Sequence, residues 1–154
     1  MKYYGICPAS CGEFVQGVMD RAEYLCSYAV DLYSTAEVEE KLNNINLGPL
    51  KSRKAIEAVF KKFNIPVEES KNISLKIRSK IPVGKGMASS TADIGATIGA
   101  TLGLIKKELS SEEIAKLAST IEPTDSIYIE KNSIFNPLNG EVIRYLGNVK
   151  DLRV

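Results

Sequence analysis

Apolar and polar residues follow two different periods along this chain. In Ile73-Ser-Leu-Lys-Ile-Arg-Ser, the residues Ile73, Leu75 and Ile77 alternate with polar neighbours, which predicts a half-buried strand. Lys2 to Cys7 reads as a first strand, Pro8 to Gly12 as a turn and Glu13 to Gly17 as a second short strand. Tyr24 to Val30 is apolar and β-prone, and Leu32 to Val38 continues as another strand after Asp31. Asn43 to Pro49, rich in Asn, Gly and Pro, is expected to be a loop. The period then changes. Ile56, Val59, Phe60 and Phe63 fall at helical spacing within Lys51 to Asn64, with lysines on what should be a solvated face.

A second helix is expected from about Ala88 to Leu104. It carries Gly95, Gly99 and Gly103 at four-residue intervals, each unfavourable in a helix by up to about 1 kcal/mol against alanine. Such a stripe suits a close approach to a sheet or another helix. Ser110 to Ile121 reads as a shorter helix, with Ser110 and Glu113 spaced as a capping box. Pro123 breaks it. A loop with Asn136-Pro137 precedes a final strand near Val142 to Tyr145. No repeat, linker or internal boundary is visible, so residues 1–154 are expected to form one domain.

Composition narrows the chemistry. Of 154 residues, 44% are hydrophobic and 25% charged, as in ordinary globular proteins. A net charge of +1 gives no footprint for nucleic acid or an anionic membrane, and neither is expected as a partner. The first residues lack the apolar segment of a signal peptide. Residues 86–105 are dominated by Gly, Ala, Ser and Thr and include Asp93, so they read as a packed helix and not a membrane span. Cys7, Cys11 and Cys26 form no Cys-x-x-Cys pair, and a reducing, cytoplasmic setting is expected. Histidine is absent, which leaves carboxylate, lysine, tyrosine or thiolate as a general base.

Two stretches carry candidate chemistry. Pro82-Val-Gly-Lys-Gly-Met-Ala-Ser-Ser-Thr-Ala joins the strand at Ile73 to the glycine-bearing helix. Gly84 and Gly86 allow a sharp turn and close backbone approach, and a helix start offers amide donors and a positive dipole end. Pro82, Gly84, Lys85, Gly86, Met87, Ala88, Ser89, Ser90 and Thr91 are therefore candidate phosphate-binding residues. Lys85 would add a mobile positive charge, and Ser90 a hydroxyl for magnesium. The lysine lies between the glycines, unlike the Walker spacing, and no third glycine completes a dinucleotide fingerprint. The plain structural reading is a serine-capped strand-to-helix turn. The second stretch is Glu122-Pro-Thr-Asp-Ser126. Asp125 either orients a substrate hydroxyl or caps a turn, and Glu122 either holds a metal or ends a helix in solvent.

Three segments, taken together and in order, resemble the GHMP kinases. These are Pro8-Ala-Ser-Cys-Gly-Glu-Phe-Val-Gln-Gly17, Pro82 to Ala92, and Glu122 to Ser126. Met87, Ala88 and Thr91 stand where that family's loop usually has leucine, glycine and alanine. The variant form resembles the branch that phosphorylates the side-chain hydroxyl of L-threonine in cobalamin synthesis. The resemblance implies an α/β (α+β) fold, a mixed β-sheet with helices packed on one side. It implies ATP and Mg2+, with Ser90 and Glu122 on the metal and Asp125 as the catalytic acid residue. Glu13, Gln16 and Asp31 lie where substrate contacts or purely structural polar contacts are expected. The acceptor implied is L-threonine or a similar small alcohol. The family's usual C-terminal domain, with its third Gly-rich motif, is expected to be absent from these residues. A separate C-terminal chain or a second copy is then an expected partner. A nucleotide- or amino-acid-binding module without turnover is the alternative reading.

Overall fold

The computed structural model describes residues 1–42, 45 and 47–147. Two long strands dominate it: β1 (Lys2–Met19) and β2 (Ala22–Glu40). They are joined by Asp20 and Arg21, both at positive φ (51° and 65°), a mirror-image turn whose twist suits a two-residue hairpin. The expected turn at Pro8 to Gly12 is instead an irregular stretch within β1. Register shifts fall between Pro8 and Ala9, Ser10 and Glu13, and Glu13 and Val15. Proline has no N–H for the ladder, and Gly12 sits at φ 112°. The Ser10 hydroxyl donates to the Gly12 carbonyl at 2.8 Å and accepts from its amide at 3.1 Å. Turn-forming residues thus make bulges rather than a reversal, because β2 pairs on both sides of them. The two strands expected at 24–30 and 32–38 merge likewise, with Asp31 and Leu32 bulged between the pairs Ala9–Val30 and Pro8–Tyr33.

Helix α1 (Leu50–Lys62) follows, then a 3-10 segment (Val67–Asn72) and strand β3 (Ile73–Ser79), which pairs with Ser34 to Glu40 of β2. Of the expected 43–49 loop, residues 43, 44 and 46 lie outside the described residues. Arg53 organises the rest, donating to the carbonyls of Leu47, Ser70 and Ile73 at 2.7–2.9 Å. Helices α2 (Ser89–Ile105) and α3 (Ser111–Ser119) come next. The capping box of α3 is formed: the Glu113 amide reaches Ser110 Oγ at 3.2 Å, and the Ser110 amide reaches Glu113 Oε2 at 3.0 Å. A short 3-10 turn (Ser126–Tyr128) leads to β4 (Ser133–Asn136) and β5 (Glu141–Tyr145). The four-residue β4 was not legible from periodicity.

The sheet order is β1-β2-β4-β5, with β3 also on β2, and every described pairing is antiparallel where a mixed sheet was expected. The helices cover one face. Gly5 and Cys7 of β1 are buried while Tyr4 and Ile6 between them are exposed. Cys7, Ala36, Val38 and Leu75 pack with Ile56 and Phe60 of α1 and Ala92, Ala96 and Ala100 of α2. A second cluster joins α1, α2 and α3 through Val59, Ile94, Ile98, Leu102 and Ala118. All three cysteines are free. No helix among the described residues is long and apolar enough to cross a membrane.

The expected close approach along α2 is real, but its tightest point lies on the partner strand. A Cβ at Gly5 would fall 2.0 Å from the Ala96 carbonyl oxygen and 2.5 Å from the Ala100 amide nitrogen. At Gly95 it would meet Tyr128 Cε1 at 2.3 Å and Cys7 Sγ at 2.7 Å. At Gly99 it would find only an ordinary contact, Gly5 Cα at 3.7 Å. Gly5→Ala should therefore destabilise by roughly 1–3 kcal/mol through overpacking. Gly99→Ala should be neutral to stabilising, by up to about 1 kcal/mol of helix propensity. Urea unfolding of both variants checks this; equal losses at the two positions would contradict it.

Candidate active site

The loop between β3 and α2 is built from left-handed backbone. Gly84 and Gly86 each have φ 69°, and Ala88, the residue that caps α2, has φ 55°. A Cβ at Gly84 or Gly86 would meet nothing within 4 Å, so torsion rather than crowding selects glycine there, and the loop backbone faces open space. Residues 82–86, including Lys85, are exposed. The Met87 carbonyl accepts from the Ser10 amide at 3.2 Å, which ties this loop to the bulged part of β1. Ala88 offers no side-chain cap, so the first-turn amides of α2 have no such partner.

Ser90 and Thr91, consecutive in the first turn of α2, each reach one of the two acids. Ser90 Oγ donates to Glu122 Oε1 at 2.7 Å. The other oxygen of Glu122 receives the ammonium of Lys51. Thr91 Oγ1 donates to Asp125 Oδ2 at 3.4 Å, and Ser27 Oγ to Asp125 Oδ1 at 3.1 Å. Thr91 is buried, so its hydroxyl serves Asp125 and does not face the loop mouth. Its carbonyl accepts from the Tyr128 hydroxyl at 2.7 Å, fixing the segment after Pro123 against α2.

Burial raises the Asp125 carboxyl above its ordinary value, opposed by the hydroxyls of Ser27 and Thr91 and by a hydrogen bond from Glu13. Glu13 is raised too, by burial first and then by repulsion from Asp125. Tyr128 is held well above its usual value by burial, so it stays a neutral donor. Behind it Cys7 is pushed up to about 12 by burial, with Asp93 adding to the shift. Asp93 itself is raised by burial and accepts from Ser34 Oγ at 2.5 Å. These groups are packing partners beneath the site.

Glu13 thus lies beside Asp125. Gln16 and Asp31 are engaged elsewhere: Gln16 donates to Glu23 at 2.9 Å near the hairpin end, and Asp31 sits exposed in its bulge against Tyr33. Two site residues escaped the sequence reading. The helical period places Lys51 on a solvated face, and only the fold brings its ammonium to Glu122. Ser27 sits inside an apolar strand run and carries no local signal.

The Ser90 hydroxyl and the Glu122 carboxylate make a hard-oxygen pair that fits magnesium, which takes few protein ligands and keeps several waters. The Lys51 ammonium on Glu122 shows that this carboxylate already draws a cation. Among the described residues no group of three or more acids and thiols could hold a metal by itself, so phosphate oxygens and water would complete the shell.

Residues 51–129 match the GHMP kinases N terminal domain, and the chain belongs to that family. It is similar to the L-threonine kinase of Salmonella typhimurium, 44% identical over 133 residues, covering 86% of this chain and 44% of that protein. The L-threonine kinase of Citrobacter freundii is 39% identical over 133 residues, covering 86% and 46%. Among solved structures, a mevalonate kinase superposes with a TM-score of 0.65 at 26% identity, covering 94% of this chain and 56% of that one. The chain therefore spans about half the length of the relatives it matches.

The acid environment makes a pH prediction. Because folding raises the Asp125 midpoint, the protonated form is favoured in the native state; its contribution to stability is present at low pH and lost as pH rises through the native midpoint. Asp125→Asn should therefore melt above the wild type near neutral pH, with the gap closing on acidification. Thermal unfolding measured across pH checks the sign, and a gap that widens in acid contradicts it.

Proposed function

We propose that this chain forms the nucleotide-binding half of an ATP-dependent kinase acting on the hydroxyl of a small amino acid, L-threonine in the first instance. The observation that carries the reading is the double pairing at the start of α2, Ser90 with Glu122 and Thr91 with Asp125. Two acids with different partners suit two tasks at one helix terminus. The amide donors of residues 89–91 and the open glycine backbone bind the nucleotide phosphates, with Lys85 as a mobile countercharge. Ser90 and Glu122 hold Mg2+, which supplies charge neutralisation at the phosphates. Asp125 accepts the hydroxyl proton of the acceptor as the acceptor oxygen bonds the γ-phosphorus and the bond to ADP breaks. Its raised midpoint makes it a better base than a solvated aspartate.

The identity to two L-threonine kinases supports the acceptor, and cobalamin synthesis in the cytoplasm is the setting we assign. Because the matched relatives are about twice as long, the remaining half of the catalytic unit is proposed to come from a C-terminal domain, either on the same polypeptide or on a partner.

The test is ADP release from Mg2+-ATP with L-threonine, alone and with a protein supplying the C-terminal half. Threonine-dependent turnover should fall by about 10²–10⁴-fold in Asp125→Ala. Glu122→Gln should raise the Mg2+ concentration needed for half-maximal rate. Nucleotide binding with no acceptor-dependent turnover in either setting would point to a binding module, and absence of nucleotide binding by folded protein would end the kinase reading.

A further inference from the structure

We infer that Ser27 is a positioning residue for Asp125, and the inference rests on the reading of Asp125 as the group that meets the acceptor hydroxyl. Ser27 lies in the apolar run of β2, next to the buried residues Leu25 and Cys26, and is itself buried. A hydroxyl enclosed there is unfavourable unless it is bonded. It is bonded to one atom of chemical consequence, Asp125 Oδ1, at 3.1 Å.

The same residue is tied to the Asp125 segment a second time, again as donor. Its backbone amide donates to Ser126 Oγ at 3.0 Å, and Ser126 is buried as well. One strand residue therefore holds two consecutive residues of the acid segment, one through its side chain and the other through its main chain. Across the ladder, Ser27 faces Glu13, which stands between two register shifts of β1. The register shifts on either side of Glu13 accompany the meeting of Glu13 and Ser27 at the same carboxylate.

The second oxygen of Asp125 receives a longer hydroxyl contact from Thr91, 3.4 Å, and Glu13 hydrogen-bonds the same carboxyl. Ser27 is the tighter of the two hydroxyl restraints, and it comes from the sheet while Thr91 comes from the helix. Asp125 is aimed by the strand that carries Ser27, and the orientation a proton acceptor needs depends on that strand. A displacement of about 1 Å at such a group is enough to lower a rate about 100-fold.

The test compares Ser27→Ala and Ser27→Thr with the wild type by crystallography and by kinetics on the same protein. In Ser27→Ala the Asp125 carboxylate should move by roughly 1 Å or split into two conformers while α2 and the glycine loop stay in place. The rate constant kcat for threonine-dependent ADP release should fall by about 10- to 100-fold with KM for ATP unchanged, and Ser27→Thr should restore both readouts. An unmoved Asp125 in Ser27→Ala overturns the inference. So does a loss shared equally between kcat and KM for ATP, which would mark a structural role. If Ser27→Ala does not fold, Ser126→Ala removes the amide link alone, and Asp125 should again be displaced. Should Asp125→Ala keep full activity, the catalytic reading of Asp125 fails, and the crystallographic arm still decides whether Ser27 sets its position.

Discussion

The closeness of α2 to β1 governs this structure. At residue 5 the helix backbone lies so near the strand that there is room for a hydrogen atom and nothing larger. An interior at crystal-like density gives such a contact no slack, so the helix has one depth on the sheet. That depth sets where its first turn emerges. The first turn in turn sets the distances from Ser90 to Glu122 and from Thr91 to Asp125. The glycines of the loop complete the arrangement by letting the chain enter the helix through left-handed torsions.

From this geometry the two acids acquire distinct characters. Glu122 shares its oxygens between a hydroxyl and an ammonium. Asp125 is enclosed beside another acid, and burial makes it hold its proton more firmly against the opposing pull of the Ser27 and Thr91 hydroxyls. Nothing in the side chains themselves sets the two acids apart. The separation comes from which neighbours the helix and the sheet present to each.

Much of this could be read before the fold was seen. The helical period of 51–64, the capping box at Ser110 and the glycine loop all came from local pattern, because local sterics and hydrogen bonding fix them. The three motif segments pointed to one site and do meet there, through Ser10 with Met87 and through the pairings of Ser90 and Thr91. What escaped depends on long-range register. Pro8 to Gly12 has the composition of a turn, and only pairing with β2 converts it to bulges. The sheet proved antiparallel in every described pair, since strand direction is decided by topology that alternation does not encode. Ser27 and Lys51 have no signature in sequence; each joins the site from an element more than seventy residues away from the acid it touches.

The ion pair between Lys51 and Glu122 has a consequence for how the site fills. Glu122 is already neutralised from within the chain. On the proposed magnesium role of Glu122, an arriving cation would compete with the Lys51 ammonium for that carboxylate rather than simply add charge to the protein. Occupancy there would then be an exchange between an internal cation and an external one.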